Sequence, residues 1–342
     1  KTGKENDNND KIAIEVGEIK FPPQDVLQLK SYYLSSSVHV DSIDYLIGYN
    51  YRLHSLDCMN LKSKSVTQIV LPGDGPDAIV RLSGIYAQSL DSVWISDESE
   101  RAFLIDSVGT IKRMIDLKKY LEDQEQLLIN TNYAMFTSHL FYNASRHSLM
   151  FLVKHTPSNT FIVKEAFIDE VGKMATYQLS SSKVVPDMSK GYAYINFPNV
   201  NFVGENIVYN YPVESSIYML DIRTNERKYI LADSHYTSNI IEKCTTSGDY
   251  ATLEKHWLEN SHFYDIMYLP KYKIYARLHA DKVDFDEKKG MEKLINERDL
   301  YLMLFDENME KIGETKLSNC RYSPFTSWNA TYGGIALFVD NE

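Results

Sequence analysis

The stretch GDGPDAIVRLSGIYAQSLDSVWISDESERAFLIDSVGTIKR, residues 73–113, reads as short strands joined by tight turns. Gly75-Pro76 carries turn chemistry, because Pro presets one backbone angle and Gly tolerates φ values closed to other residues. The runs GIYAQSL (84–90) and SVWISD (92–97) are rich in aromatic and β-branched residues and too short for helices. After Arg101 a third apolar run ends in Ile105-Asp106, and Gly109 then supplies the φ > 0 position of a hairpin turn. An Asp at such a turn entry accepts backbone N–H groups two residues on. Paired hairpins of this kind, four short strands in about 50 residues, are the size of one propeller blade.

The unit returns along the chain. An apolar pair leading into Asp, a short turn and a second strand ending in Leu recur around Asp57, Asp106, Asp169, Asp221 and Asp306, in steps of 49, 63, 52 and 85 residues. Upstream lie six copies of a second strand: DYLIGYN (44–50), SVWISD (92–97), SLMFLVKH (148–155), NIVYNYP (206–212), KIYARLH (273–279) and GGIALFVD (333–340). First-strand candidates precede them in GIYAQSL (84–90), HLFYNAS (139–145), NVNFVGE (199–205) and FTSWNAT (325–331). One blade cannot bury both of its faces, whereas blades stacked around an axis bury both, so their strands are apolar nearly throughout. The expected fold is all-β: a single β-propeller over residues 12–342 with six four-stranded blades and short helical insertions on one face. The run IAIEVGEI (12–19) is expected to close the sixth blade as a strand.

Residues 73–113 resemble the NHL-type six-bladed propeller repeat in the Gly75-Pro76 turn, the strand ending at Asp97, the Arg101 start, Ile105-Asp106 and the Gly109 turn. The other hairpins are degenerate copies. Over residues 12–342 the pattern also resembles a propeller family of unknown function found as exported lipoproteins of gut Gram-negative anaerobes. That resemblance implies a fold and a periplasmic or cell-surface location with an N-terminal lipid anchor. It implies no activity and no catalytic residue. The polar opening KTGKENDNNDK (1–11) fits the tether of such a protein, and a start at Lys1 fits a chain whose leader was removed or one that was trimmed.

A formal net charge of −11, with no Lys/Arg stripe, argues against nucleic acid as a partner. No apolar run reaches the ~18 residues of a membrane-spanning helix, so a membrane enters only through the anchor. Cys58, Cys244 and Cys320 are too sparse, and odd in number, for a disulfide framework. Tyr outnumbers Trp 25 to 3, which suits half-buried pleated surfaces.

Function is expected on one face. With strands lettered A to D outward from the axis, the A–B and C–D turns are short. The long segments 118–133, 180–193, 232–262 and 280–299 all fall in D–A or B–C links, which emerge together on the other face. Long links on a rigid scaffold are the usual carriers of binding. The ligand-binding candidates are Tyr49, Asn50, Tyr51 and Arg52 in the first B–C link, Tyr211 in the fourth, and Trp328 near the axis. Aromatic faces stack on sugars and anchor protein interfaces, although each of these residues also suits ordinary strand-end packing.

Six-bladed propeller lactonases and lyases hold an axial metal with Glu, Asn, Asp or His from inner strands; the inner strands here offer His39, Asp41, His139, Asn143, Asn201 and Asn329 as axial-channel candidates, a mixed set that permits such a metal without indicating one. Other metal patterns fail. His235, Cys244, His256 and His262 match no zinc spacing, and Asp281, Asp284, Asp286 and Glu287 depart from an EF-hand at Lys288. GDGPD (73–77) lacks the Lys-Ser/Thr of a phosphate-binding loop. No metal or cofactor is therefore assigned. Helical spacing is expected in LEKHWLEN (253–260) and around Met291, Leu294 and Ile295. Three readings follow: an exported propeller binding a glycan, a peptide or a partner protein; a metal-dependent hydrolase or lyase; and a structural scaffold subunit.

Overall fold

The structure, a computed structural model, describes residues 14–22, 32–128, 137, 139–185, 191–192, 196–244, 249–317 and 328–338. Five antiparallel sheets follow one another along the chain, each in the order A-B-C-D. Blade 1 is β1 (Ser35–Val40), β2 (Ile43–Asn50), β3 (Ser55–Asn60) and β4 (Val66–Val70); blade 2 is β5 (Leu82–Ser89), β6 (Ser92–Asp97), β7 (Arg101–Ile105) and β8 (Ile111–Asp116). Blade 3 splits its inner position between β9 (Glu125–Leu127) and β10 (Phe141–Asn143), which pair opposite ends of β11 (Ser148–His155); β12 (Thr160–Phe167) and β13 (Met174–Gln178) complete it. Blade 4 is β14 (Asn199–Val203), β15 (Asn206–Asn210), β16 (Ile217–Asp221) and β17 (Arg227–Ile230). Blade 5 is β18 (His262–Leu269), β19 (Ile274–Ala280), β20 (Leu300–Phe305) and β21 (Lys311–Leu317).

The expectation of six four-stranded blades, and with it the NHL-type count, is corrected to five. Between blades 5 and 1 lies a two-stranded sheet, β22 (Trp328–Ala330) with β23 (Ile335–Leu337). Residues 14–19 do not form the expected strand: Gly17 interrupts the alternation, and Val16 and Ile19 stay exposed. The segment instead straddles β23. Ile14 packs with Trp328, Ile335 and Leu337 on the blade 5 side, and Phe21 packs near Ala336, Phe338 and Leu46 on the blade 1 side.

Strand position explains burial. The B strand β6 is buried along nearly its whole length, whereas the outermost β8 alternates between half-buried and exposed residues. The C–D hairpins use the turn chemistry read from Asp106. Its Oδ1 accepts the N–H groups of Val108 (3.1 Å) and Thr110 (2.8 Å), and Gly109 sits at φ 84°. Asp221 and Asp306 accept from their turns in the same way. Two of the five expected copies differ. Asp57 is buried within β3, accepting from Tyr32, Asn50 and Gln68, and Asn60 caps that turn instead. Asp169 reaches out of its turn to Arg113 of blade 2.

The inner strands do not pair with one another, so side chains tie the ring. The N–H of Ala87 donates to Ser36 Oγ (2.9 Å) between blades 1 and 2. Phe141 packs edge-on to Tyr86 of blade 2 and stacks on Phe202 of blade 4. Asn201 Nδ2 donates to Ile266 O (2.9 Å) between blades 4 and 5, and Trp328 Nε1 donates to Asp265 Oδ1 (2.8 Å) between blade 5 and the small sheet. Asn329 Nδ2 then donates to Ser35 O (2.8 Å), and Ser37 Oγ to Ala330 O, closing onto blade 1.

Two helices sit in the long links. α1 (Tyr250–Leu258) lies in the link from blade 4 to blade 5, and α2 (Met291–Asn296) in the B–C link of blade 5. Trp257, Leu258, Leu294 and Ile295 are buried in the same cluster as Tyr209, Tyr211 and Tyr218 of blade 4. The buried Arg298 binds Asp281 O and Asn260 O (both 2.6 Å), joining the two insertions. The link leaving blade 4 is held by Glu314 of β21, which accepts from Ser234 Oγ (2.5 Å), the His235 N–H (2.9 Å) and His279 Nε2 (2.9 Å).

Burial alone would raise the Glu314 pKa, but those donors outweigh it and hold the carboxyl at about 2, below the ordinary 4.5. A carboxyl depressed on folding adds stability above its unfolded pKa and loses it as pH falls through the folded value. Glu314→Gln should therefore cost about 1–3 kcal/mol at pH 7 and flatten the loss of stability between pH 4.5 and about 2; urea unfolding across that range measures it. A second pair of variants separates backbone strain from crowding. Both Gly109 and Gly172 have positive φ, but a Cβ at 109 would lie 2.4 Å from Val70 O while one at 172 meets nothing within 4 Å. Gly172→Ala should cost about 1–2 kcal/mol and Gly109→Ala clearly more; equal unfolding midpoints would contradict this contact between blades.

Candidate functional site

Two neighbouring links of the B–C/D–A face build an open concave feature. Strand β2 ends at Asn50, and its side chain shapes the following turn: Oδ1 accepts from the N–H groups of Arg52 (3.2 Å) and Leu53 (3.3 Å), while Nδ2 donates to buried Asp57 (3.0 Å). The turn ends at His54, which adopts a left-handed φ of 50°. The second link joins blade 1 to blade 2 through Gly75-Pro76. Arg101 Nη2 holds it down by donating to Ala78 O (2.7 Å) and to Asp97 Oδ2 (2.6 Å).

Between these links opens a depression of about 610 Å³, within the usual size range of small-ligand sites. Ile79 and Val80 give it an apolar side, and Gly73 lies on its rim beside His54. Tyr33, Tyr49 and Tyr51 form an aromatic wall. Tyr33 meets Tyr49 edge-on at 6.3 Å and Tyr51 at a 43° tilt, 6.1 Å between centroids. Arg81 lies over the Tyr33 ring at 5.7 Å, with Nε 3.3 Å from the Tyr33 hydroxyl and 3.5 Å from Glu98. Tyr49 is buried and its hydroxyl meets His54 Nδ1 at 3.1 Å. Burial, with Tyr33 adding to it, pushes the Tyr49 phenol up to about 12, so it stays a hydrogen-bond donor at neutral pH.

Of the binding candidates, Tyr49 and Tyr51 line this depression. Asn50 is buried and shapes the turn, and Arg52 is exposed beside it without lining the depression. Tyr211 is buried under the insertions with its hydroxyl donated to Ser180 O (2.8 Å). Trp328 is buried edge-on to Tyr264. These two therefore pack the core rather than present a surface.

The axial candidates disperse. His39 lies near the opposite face, bonded to Asp44 (2.7 Å) and stacked on Tyr332, with Asp41 in the adjoining A–B turn. Asn143 caps the β10–β11 turn through Ser145. Asn201 and Asn329 spend their amides on carbonyls of neighbouring blades. Only His139 and Trp328 converge, both on Asp265, at 3.3 Å and 2.8 Å. The histidines of 232–262 also separate: His256 Nε2 bonds Glu242 O, and His262 Nδ1 accepts from Trp257. Among the described residues, no group of three or more His, Cys, Asp or Glu side chains is placed to hold a metal.

Sequence reasoning missed Tyr33, His54 and Arg81. The signal was available in the links themselves: residues just before an A strand or just before a C strand, at the ends of D–A and B–C links, emerge on one face. His54, directly before β3, and Arg81, directly before β5, satisfy that rule. Tyr49→Phe tests the local geometry. Losing the hydroxyl should cost about 1 kcal/mol and release His54 from a single tautomer, read as a change in its ring ¹⁵N shifts. Unchanged shifts would mean that Tyr49 does not set the ring.

A solved structure of a DUF4221 family member from Bacteroides vulgatus superposes with a TM-score of 0.75 at 15% identity, over 93% of this chain and 89% of that one. A candidate exported protein from Bacteroides fragilis gives a TM-score of 0.53 at 14% identity, over 90% and 77%. At these identities the likeness concerns the fold. No curated protein matches the chain. The family described as Domain of unknown function (DUF4221) matches residues 5–316. The chain belongs to the DUF4221 family.

Proposed function

We propose that this protein is an exported binding propeller that takes its ligand on the face of the B–C and D–A links, in the depression between blades 1 and 2. The observation that carries the reading is the grouping there of Tyr33, Tyr51 and Arg81 around an open concavity, with Tyr51 47% exposed and the Arg81 side chain 54% exposed. Half-exposed aromatics beside an Arg are the side chains that carry most binding energy at recognition sites. Elsewhere on this face the insertions are folded down: α1 and α2 bury their apolar sides over blade 4. Export is supported by the name of the similar Bacteroides fragilis protein. The axial-metal reading has less behind it, because its candidate ligands are occupied in separate hydrogen bonds.

Gly73→Leu tests the site without touching its chemistry. Gly73 is exposed, its φ is not left-handed, and a Cβ there meets only His54 Cδ2 at 3.7 Å. The larger side chain should fill the depression and leave thermal unfolding unchanged. On a printed array of oligosaccharides and peptides, ligands captured by the native protein should be lost by this variant. An array that captures nothing, or capture that survives Gly73→Leu, counts against the proposal.

A further inference from the structure

We infer that the depression between blades 1 and 2 is built for a carboxylated sugar, a uronate unit of an oligosaccharide held between His54, Arg81 and the Tyr33–Tyr51 wall. This rests on the binding reading above and names its ligand class. The first observation is the His54 ring. The Tyr49 hydroxyl and His54 Nδ1 lie 3.1 Å apart, so the ring is held on that side by one hydrogen bond whose donor depends on the tautomer. The other ring nitrogen, Nε2, is buried and has no hydrogen-bond partner among the described residues. A buried ring nitrogen without a partner is costly in either tautomer, and a ligand hydroxyl, which both donates and accepts, would satisfy it.

Arg81 supplies the second observation. Its Nε edge is engaged by the Tyr33 hydroxyl and approached by Glu98. Its Nη nitrogens bond no other described residue, and no Asp or Glu is among the described residues that line the depression. The free side of a guanidinium is a planar fork that matches the two oxygens of a carboxylate. Arg81 is thus the fixed charge among the described residues that line the depression, and its fork calls for an anionic acceptor on the ligand.

The body that carries those acceptors is argued from the walls. The tilted Tyr33 and Tyr51 rings offer an angled aromatic surface suited to the C–H face of a sugar. A peptide bound by strand addition would need open main-chain partners. Here the nearby N–H groups are committed: Tyr49 to Leu34 O, Leu71 to His54 O, Ile79 to Pro72 O and Val80 to Asp97. These commitments favour recognition through side chains.

Calorimetry on the full chain tests the inference, with short oligomers of galacturonate, glucuronate and mannuronate, their methyl esters, the matching neutral oligomers, and short peptides with a free C-terminal carboxylate. At least one uronate oligomer should bind. Its methyl ester and the Arg81→Gln variant should each weaken binding about tenfold or more, rising salt should weaken it further, and Gly73→Leu should abolish it. Neutral, esterified or peptide probes that bind as tightly as uronates, yet are lost in Gly73→Leu, would overturn the uronate assignment and leave the depression as a binding site. Binding by no probe would overturn the assignment, and uronate binding that survives Gly73→Leu would overturn both readings.

Discussion

Everything in this fold depends on tying inner strands into a ring without letting them pair. Each A strand has a B strand on one side and the axis on the other, so its remaining polar edge cannot join a ladder. The chain meets this with single side-chain bonds and ring stacks between blades: Ser36 to Ala87, Phe141 between Tyr86 and Phe202, Asn201 to Ile266, Trp328 to Asp265, and Asn329 to Ser35. These contacts fix how blades sit side by side, which buries the apolar faces that no blade could bury alone. The two-stranded sheet β22–β23 is small, yet it carries two of the connections. Segment 14–22, with Ile14 and Phe21 on either side of it, wedges that module between blades 5 and 1.

Function follows from where the ring leaves space. Where they are described, the two links that carry α1 and α2 do not wave above the face. They fold down onto it, with Arg298 locking one insertion to the other and Glu314 pinning the link that leaves blade 4. Their aromatic and apolar residues thus become part of the core, including Tyr211. Between blades 1 and 2 the links are short, and Tyr51 and the Arg81 side chain stay about half exposed. A rigid floor with uncovered aromatic and cationic side chains is the arrangement that recognition sites share.

How far the sequence could be read varied with the kind of signal. Strands and turns were legible because they are local: the apolar runs at 92–97 and 148–155 and the Asp106–Gly109 turn became β6, β11 and the β7–β8 hairpin. Asp57 misled because an apolar-Asp pair resembles a turn entry whether it ends a strand or sits within one, and only its buried partners show the difference. The blade count was overread because six second strands do not guarantee six complete sheets; β23 has no C strand beside it among the described residues. For the depression, Tyr49 and Tyr51 were legible from their place at the end of a B strand. Tyr211 occupies the corresponding place in blade 4 and is buried, because depth is set by helices that pack from elsewhere in the chain. Asn201 and Asn329 looked like channel ligands for the same reason: sequence shows an amide on an inner strand but not the carbonyl next door.

The central claim is that the ring is one mechanical unit closed through the small sheet. Native-state hydrogen exchange on Asn329→Ala tests it most directly, since that amide joins β22 to Ser35 of blade 1 and local and collective openings exchange differently. If the account holds, exchange quickens by a similar factor in the inner strands β1, β5, β14 and β18 around the whole axis. Faster exchange confined to β22 and β23, with the other inner strands unchanged, would contradict it.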